Sequence, residues 1–483
     1  MKNYSYKNLE FLKSSFSPEG KYHSTDDIIK WLKKMKQSIE IKIERTLFSK
    51  LDKWAYDEKS GSIKHQSGKF FSIDGINVQT NGNSVGSWQQ PIINQPEIGF
   101  LGIITKEIEG VLHFLMQAKV EPGNKNYIQL SPTLQATKSN FTQIHEGMKP
   151  HYLDYFRYAK PEQVILDQLQ SEQGARFLRK RNRNIIIKVE EEIPVYDHFS
   201  WMTLAQIKML MQKNNLVNMD ARTVISGITY GNMDEGVVDF FNFLGHEKKG
   251  DAVEKAVLKS ALASEGALHT TDELISFLTR LKSMNELDIT KVPLKKLERW
   301  VYNDEEIRHD ENKYFKVIAV DIEISNREVV KWSQPMVEPA QEGISSFVCK
   351  EINGILHFAV QAKLECGNFD VIEFAPTVQC LTGNYRQSKK GSIPFLEYIL
   401  KAPKEKIIFD TFQSEEGGRF FREQNRNLIV LAGDEISIDL PPDFIWMTLN
   451  QLNEFLKFNN YLNIQARSLL SAISFIGSNY GKN

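Results

Sequence analysis

Residues 111–121 alternate between apolar and polar. Even positions carry Leu112, Phe114, Met116, Ala118 and Val120, and odd positions carry His113, Leu115, Gln117, Lys119 and Glu121. A period of two sends these sets to opposite faces of a β-strand, and only the even face reads as core. Residues 355–365 repeat the pattern, with Leu356, Phe358, Val360, Ala362 and Leu364 set against His357, Ala359, Gln361, Lys363 and Glu365. Upstream, Ile28, Ile29, Trp31, Leu32 and Met35 recur at helical spacing over 26–38, with Ser24 or Thr25 placed to cap that helix. Further strands are predicted over 70–78, 98–107, 127–132 and 184–190, and further helices over 162–169, 174–180 and 204–213. The second half repeats the strands at 345–351, 354–364, 370–376 and 428–433. Each half therefore reads as an α+β unit with a mixed, largely antiparallel sheet and flanking helices.

The repetition is a duplication. HFLMQAKVEPGNKNYIQLSPTLQAT (113–137) aligns without a gap on HFAVQAKLECGNFDVIEFAPTVQCL (357–381), with 12 of 25 positions identical. LDKWAY (51–56) answers LERWVY (297–302), WQQP (88–91) answers WSQP (332–335), and DQLQSEQGARFLRKRNRN (167–184) answers DTFQSEEGGRFFREQNRN (410–427). So long a period means two tandem domains, since solenoid repeats run to about 20–50 residues. The predicted division is 1–244 for the first repeat, 245–262 for an exposed connecting helix or linker, and 263–483 for the second repeat.

Composition narrows the class. The chain has 483 residues, 41% of them hydrophobic and 25% charged, with 60 Lys+Arg against 61 Asp+Glu. That is an ordinary globular composition, with no overall field to draw nucleic acid or an anionic membrane. Three cysteines, Cys349, Cys366 and Cys380, cannot build a disulfide framework or a four-cysteine zinc site. The N-terminus lacks a signal-peptide apolar run, and nothing approaches the roughly 20 apolar residues of a membrane span, so a cytoplasmic location is expected. No Walker loop, G-x-G-x-x-G, H-E-x-x-H or G-x-S-x-G motif is present, and His23, His65, His269 and His309 recur but stand isolated.

Candidate chemistry lies on the odd strand face. In each copy it gathers an imidazole, an amide, an ammonium and a carboxylate, although a merely solvated face is the plain alternative. A Gly-Asn turn containing Asn124 or Asn368 follows, and then Pro-Thr-x-Gln brings Thr133 and Gln135, or Thr377 and Gln379, back beside that face. A second group is arginine-rich: Arg176 and Arg183, with Arg419 and Arg426 opposite, follow the small-residue start of the helix predicted after SEQG or SEEG, a place suited to a diphosphate, or else pair with Glu172 and Glu415. Trp88 and Trp332 are either core residues or platforms for a base or sugar. Arg222 and Arg467, in a third repeated motif, could equally serve domain packing.

Together HFLMQAKVEPGN…SPTLQAT, HFAVQAKLECGN…APTVQCL, SEEGGRF and NIQARSLL resemble the NDP-hexose 2,3-dehydratase family over nearly the whole chain. The resemblance implies a homodimer whose subunit holds two Nudix-like domains and acts on a nucleotide-linked 4-keto-6-deoxyhexose, typically dTDP-4-keto-6-deoxyglucose. Neither half carries the carboxylate-rich metal box of Nudix hydrolases. Arg327-Glu328-Val329 is only a fragment of it, so no metal is expected. In the implied reaction the C4 ketone acidifies the C3 hydrogen, a base forms the enolate, and the C2 hydroxyl leaves as water with an acid's help. No redox cofactor is needed. On this reading Glu121 or Glu365 is the candidate base, Lys119 or Lys363 the oxyanion donor or the base, and His113 or His357 the acid. Gln117, Gln135, Asn124, Thr133 and their partners Gln361, Gln379, Asn368 and Thr377 would orient hydroxyls, while Arg176, Arg183, Arg419 and Arg426 hold phosphate. The first half, slightly the more polar around these residues, is the expected reactive one. The alternative is a nucleotide-sugar binding protein without catalysis.

Overall fold

The computed structural model describes residues 2–82, 85–137, 150–231, 252–325, 329–381 and 393–476. The Arg327-Glu328 fragment and the 245–251 part of the expected linker lie outside them. Each half contributes one seven-stranded sheet and four strands of a five-stranded sheet, whose fifth strand comes from the other half. In the larger first-half sheet, Gly99–Ile108 pairs antiparallel with Val111–Val120 and parallel with Arg181–Lys188, the remaining ladders being antiparallel. The larger second-half sheet repeats this order around Gly343–Ile352 and Ile355–Leu364. The observed class is thus mixed α+β, as the periodicity predicts.

The alternating strand holds its place for the reason read from the sequence. Leu112, Phe114, Met116, Ala118 and Val120 are all buried in one core. The opposite face is not open, as expected, but covered by a second apolar layer in which Leu115 packs with Tyr152, Phe156 and Trp201. The first predicted helix is observed at Thr25–Gln37, capped by Ser24 in a reciprocal pair with Asp27. Two predicted helices are absent. Residues 162–169 fall largely in the strand Val164–Ser171, whose β-branched start and antiparallel ladder to Arg181–Lys188 override local propensity. Residues 174–180 form a turn, with Arg179 in the left-handed region.

The halves exchange strands. Leu287–Val292 of the second half completes the smaller first-half sheet, running from Leu287 opposite Thr80 to Val292 opposite Gly75. Reciprocally, Ile41–Thr46 pairs with Phe315–Ile324. The helices Met219–Ser226 and Ile464–Ser471 pack together, with Arg222 donating to Ser468 and Arg467 to Thr223. Both arginines are about 1% exposed and also bond backbone carbonyls of the opposite half, so they serve packing between halves. The helix Ala252–Leu262 is not the exposed connector expected. Val257, Leu258, Ala261 and Leu262 are buried, and Ser260 bonds Leu356 O as Ser14 of the helix Lys2–Ser15 bonds Leu112 O. It therefore sits in the second half as Lys2–Ser15 sits in the first.

Candidate active site

Three elements aim polar groups at one place. The end of Val111–Val120 presents Lys119 and then Glu121. The neighbouring strand Leu134–Ala136 presents Gln135, opposite Leu101. The helix Met219–Ser226 starts there because Asn218 caps it, its side-chain oxygen accepting from Ala221 N at 2.8 Å, and this puts Asp220 in the first turn. The second half closes the space. Its SEEG turn binds the first half's Gly-Asn turn, with Gly123 N donating to Gly417 O and Arg422 N to Gly123 O, each at 2.7 Å, and brings in Glu416 and Arg419.

These residues enclose a cavity of about 520 Å³, lined also by Trp332, Lys180 and Glu172, with Trp54 and His65 from the smaller sheet and Phe70 and Phe71 from the loop between its strands. The size suits a small-molecule ligand. Glu121 is fixed by amides: Gln135 donates to Oε1 at 2.7 Å, and Asn124 and Asn218 donate to Oε2 at 3.2 Å. Lys119 donates to Gln135 O. Arg419 lies 4.1 Å from the Phe71 ring centre and donates to Gln95 Oε1.

Burial and crowding shift the titrating groups. Burial, reinforced by Glu416, Glu121 and Glu172, holds Asp220 well above the usual carboxylate range against the pull of Lys119. Burial, opposed by Arg419 and helped by Glu121 and Glu172, pushes Glu416 up to about 7. Burial also lowers Lys180 to about 8, although Glu172 pulls the other way. One oxygen each of Glu121, Asp220 and Glu416 lie within 4.8 Å of one another, which makes them the described group able to hold a cation. Lys119 and Arg419 already supply positive charge beside them.

The sequence profile of the NDP-hexose 2,3-dehydratase family matches residues 25–228 and 271–473. The chain belongs to this family. Its relatives include the dTDP-4-dehydro-6-deoxy-alpha-D-glucopyranose 2,3-dehydratase of Saccharopolyspora spinosa, 43% identical over 444 residues covering 92% of this chain and 90% of the relative. Proteins of the same name from Amycolatopsis orientalis (38% identical, 95% of this chain and 92% of the relative) and Streptomyces violaceoruber (41%, 92% and 95%) are also similar.

Within this dehydratase-family chain the expected residues divide. Lys119, Glu121, Gln135, Arg419 and Trp332 line the cavity, and Asn124 supports it through Glu121. His113 does not serve as an acid there. Its Nδ1 faces Val111 O at 2.9 Å and its Nε2 accepts from Lys21 N at 3.2 Å, so both nitrogens are held by backbone away from the cavity. His357 is held in the same way by Ile355 O and Leu268 N. Thr133 fastens Leu115 O and Ile104 N, and Thr377 fastens Ala359 O and Val348 N. Both are structural rather than ligand-facing. Gln117 does not line the cavity, and Gln361 donates to Asp443. Arg183 and Arg426 form two-pronged surface pairs with Asp167 and Asp410 across adjacent strands, not a phosphate grip.

The second-half counterparts Lys363, Glu365, Asn368 and Gln379 gather in their own group, in which Glu365 and Asn368 are buried, with Gln379 donating to Glu365 at 2.9 Å and Lys363 to Gln379 O. Arg176 reaches this group from the first half, 4.0 Å from the Phe315 ring centre. Trp88 packs against the small apolar cluster of Ile76, Val78, Ile92 and Cys366. Each arginine therefore serves the opposite half's site. Sequence reasoning missed Asp220, Glu416 and Lys180. A comparison of the two repeats position by position would have found them, because their counterparts are Gln465, Gln173 and Glu423.

Proposed function

We propose that this chain dehydrates a dTDP-linked 4-keto-6-deoxyglucose across C2 and C3, giving a 3,4-diketo-2,6-dideoxyhexose for deoxysugar biosynthesis. The observation that carries this reading is the first-half cavity, where carboxyl groups able to exchange a proton stand beside Lys119 and Arg419 in a member of this family. The C4 ketone makes C3–H acidic, and negative charge then develops on O4. In this reading Lys119, on the cavity wall, donates to that oxygen, an interaction stronger in the transition state than in the ground state. The cavity carboxyl groups handle the protons. Arg419 and Lys180 supply positive charge for the diphosphate, and Trp332 a flat surface for the base or sugar. Glu121, with amide donors on both oxygens, orients the site.

The reactive site belongs to the first half in this reading, since the second half has amides where the first has Asp220 and Glu416. The Nudix-like character of each unit, pairing of two chains as a homodimer and action in the cytoplasm belong to the same proposal, supported by family membership. So does the division into two repeats, with the second starting near residue 252 because of the packing of Ala252–Leu262.

Purified protein incubated with dTDP-4-keto-6-deoxyglucose and followed by mass spectrometry tests this directly. Loss of one water, or release of free dTDP after the 3-ketone has acidified C2, is the expected result. Lys119→Met is expected to lower kcat by about 10²–10³-fold, as loss of an oxyanion donor does, and Lys363→Met to leave it within a few-fold. Abolition by Lys363→Met alone moves the reaction to the second half. An unchanged substrate that raises the melting temperature makes the chain a binding protein instead.

A further inference from the structure

The carboxyl groups around the cavity are not equivalent. Glu121 has three amide donors on its two oxygens. Asp220 is only 3% exposed, yet it lines the cavity and its Oδ1 has no hydrogen-bond partner. Glu416 accepts Gly418 N on Oε1 at 3.0 Å, and its Oε2 is likewise unpartnered. Asp220 and Glu416 stand close enough that ionising both is opposed by like charge as well as by burial, which favours a proton held between them. The second half is an internal comparison. It keeps the glutamate bonded by glutamine, Glu365 with Gln379, but replaces Asp220 by Gln465 and Glu416 by Gln173. Gln173 matches Glu416 in size and Gln465 is one methylene longer than Asp220, and neither amide can exchange a proton.

We propose that Asp220 and Glu416 act as one acid–base pair, the ionised member taking the C3 proton and the protonated member delivering its proton to the departing 2-hydroxyl. This rests on the dehydration proposed above. In a sugar of gluco configuration, H3 and O2 lie on the same face of the ring, so two carboxyl groups on one side reach both. The C3–H pair first forms the C3=C4 enolate. That π pair then moves to C2=C3 as the O4 lone pair restores the ketone, and the C2–O pair leaves with the hydroxyl. One proton is taken and one is given, so the pair ends with the single proton it started with, and water is the only molecule released. Lys119 faces Asp220 and Arg419 faces Glu416, while Glu121 and Glu172 face both carboxyls and oppose their ionisation. Because Glu416 comes from the second half, the site is built by both repeats.

The test is Asp220→Asn and Glu416→Gln in the full chain, each close to its parent in shape. Both are expected to lower kcat by about 10²–10⁴-fold with KM within about threefold, and to keep the melting-temperature rise given by dTDP. Either variant within tenfold of the parent overturns the pair, as does a loss of turnover that tracks loss of dTDP binding. A parent protein that binds dTDP and releases no water overturns the dehydratase reading and the pair with it. Turnover by the parent with undiminished variants overturns the pair alone. Stoichiometric Mn²⁺ binding that turnover requires and Asp220→Asn abolishes also overturns it, in favour of a cation site.

Discussion

Glu373 occupies the place that Gln129 holds in the first half, buried between the halves, where it accepts from Ser171 Oγ at 2.9 Å as Gln129 donates to Ser414 Oγ at 2.6 Å. Burial pushes Glu373 up to about 7 although Arg467 pulls it down. A carboxyl group with a raised native pKa stabilises least where the unfolded chain has already ionised. Below pH about 4.5 it costs nothing, and between there and about 7 the native state loses roughly 1.4 kcal/mol per pH unit, about 3 kcal/mol in all. Glu373→Gln is therefore expected to match the parent near pH 4.5 and exceed it by about that amount at pH 7.5, in denaturant midpoints at the two pH values. A gain of the same size at both would show that packing, not titration, sets the difference. At this scale sequence reasoning reached Lys119, Glu121 and Gln135 because alternation and a returning turn place them. It passed over Asp220, Glu416 and Lys180 because none lies on the alternating strand, and two of the three arrive by contacts that no local pattern encodes. His113 and His357 misled for the converse reason: their partners are the backbone N–H groups of Lys21 and Leu268, roughly 90 residues away in each case.

Elements with a strong period appear where expected, as Thr25–Gln37 and Val111–Val120 do. The failures, 162–169 and 174–180, are segments whose structure is decided by another part of the chain: one by its ladder to Arg181–Lys188, the other by docking against the opposite half. This docking and its reciprocal, of the first half's Gly-Asn turn on the SEEG turn, make glycine necessary at Gly367 and Gly123. A Cβ on Gly123 would lie 1.7 Å from Phe420 O and 2.7 Å from Gly417 O, both backbone atoms that cannot swing aside. Gly123→Ala is expected to lower stability by about 3 kcal/mol through forced backbone displacement. Its kcat should fall further than stability alone explains, because the displaced turn carries Glu416 and Arg419. A variant with the parent's denaturation midpoint and kcat would mean that the two turns do not hold each other.

Duplication usually gives two units that could part, but these two are laced together by the exchanged strands Ile41–Thr46 and Leu287–Val292, by Arg222 and Arg467, and by an apolar core that holds Phe114 and Met202 of one half with Phe358 and Met447 of the other. The repeat and the class of each half were legible in the sequence, because identity between copies and hydrophobic period are both local properties. The exchange was not, since either copy's strand fits either sheet by pattern alone: Ile41, Ile43 and Leu287, Ile289 alternate alike. The exchange has a measurable consequence. A chain divided into 1–244 and 245–483 leaves each piece with an unfilled place in its smaller sheet, and leaves the first piece without Trp332, Glu416 and Arg419. Either piece alone is expected to aggregate through the unpaired edge and the uncovered core, and to release no water from the ketosugar. Expressed together, the pieces should copurify and recover turnover, since the cavity re-forms once each strand finds its sheet. A soluble 1–244 piece that dehydrates the substrate by itself would show that the second half is dispensable, and the composite site described above would then be wrong.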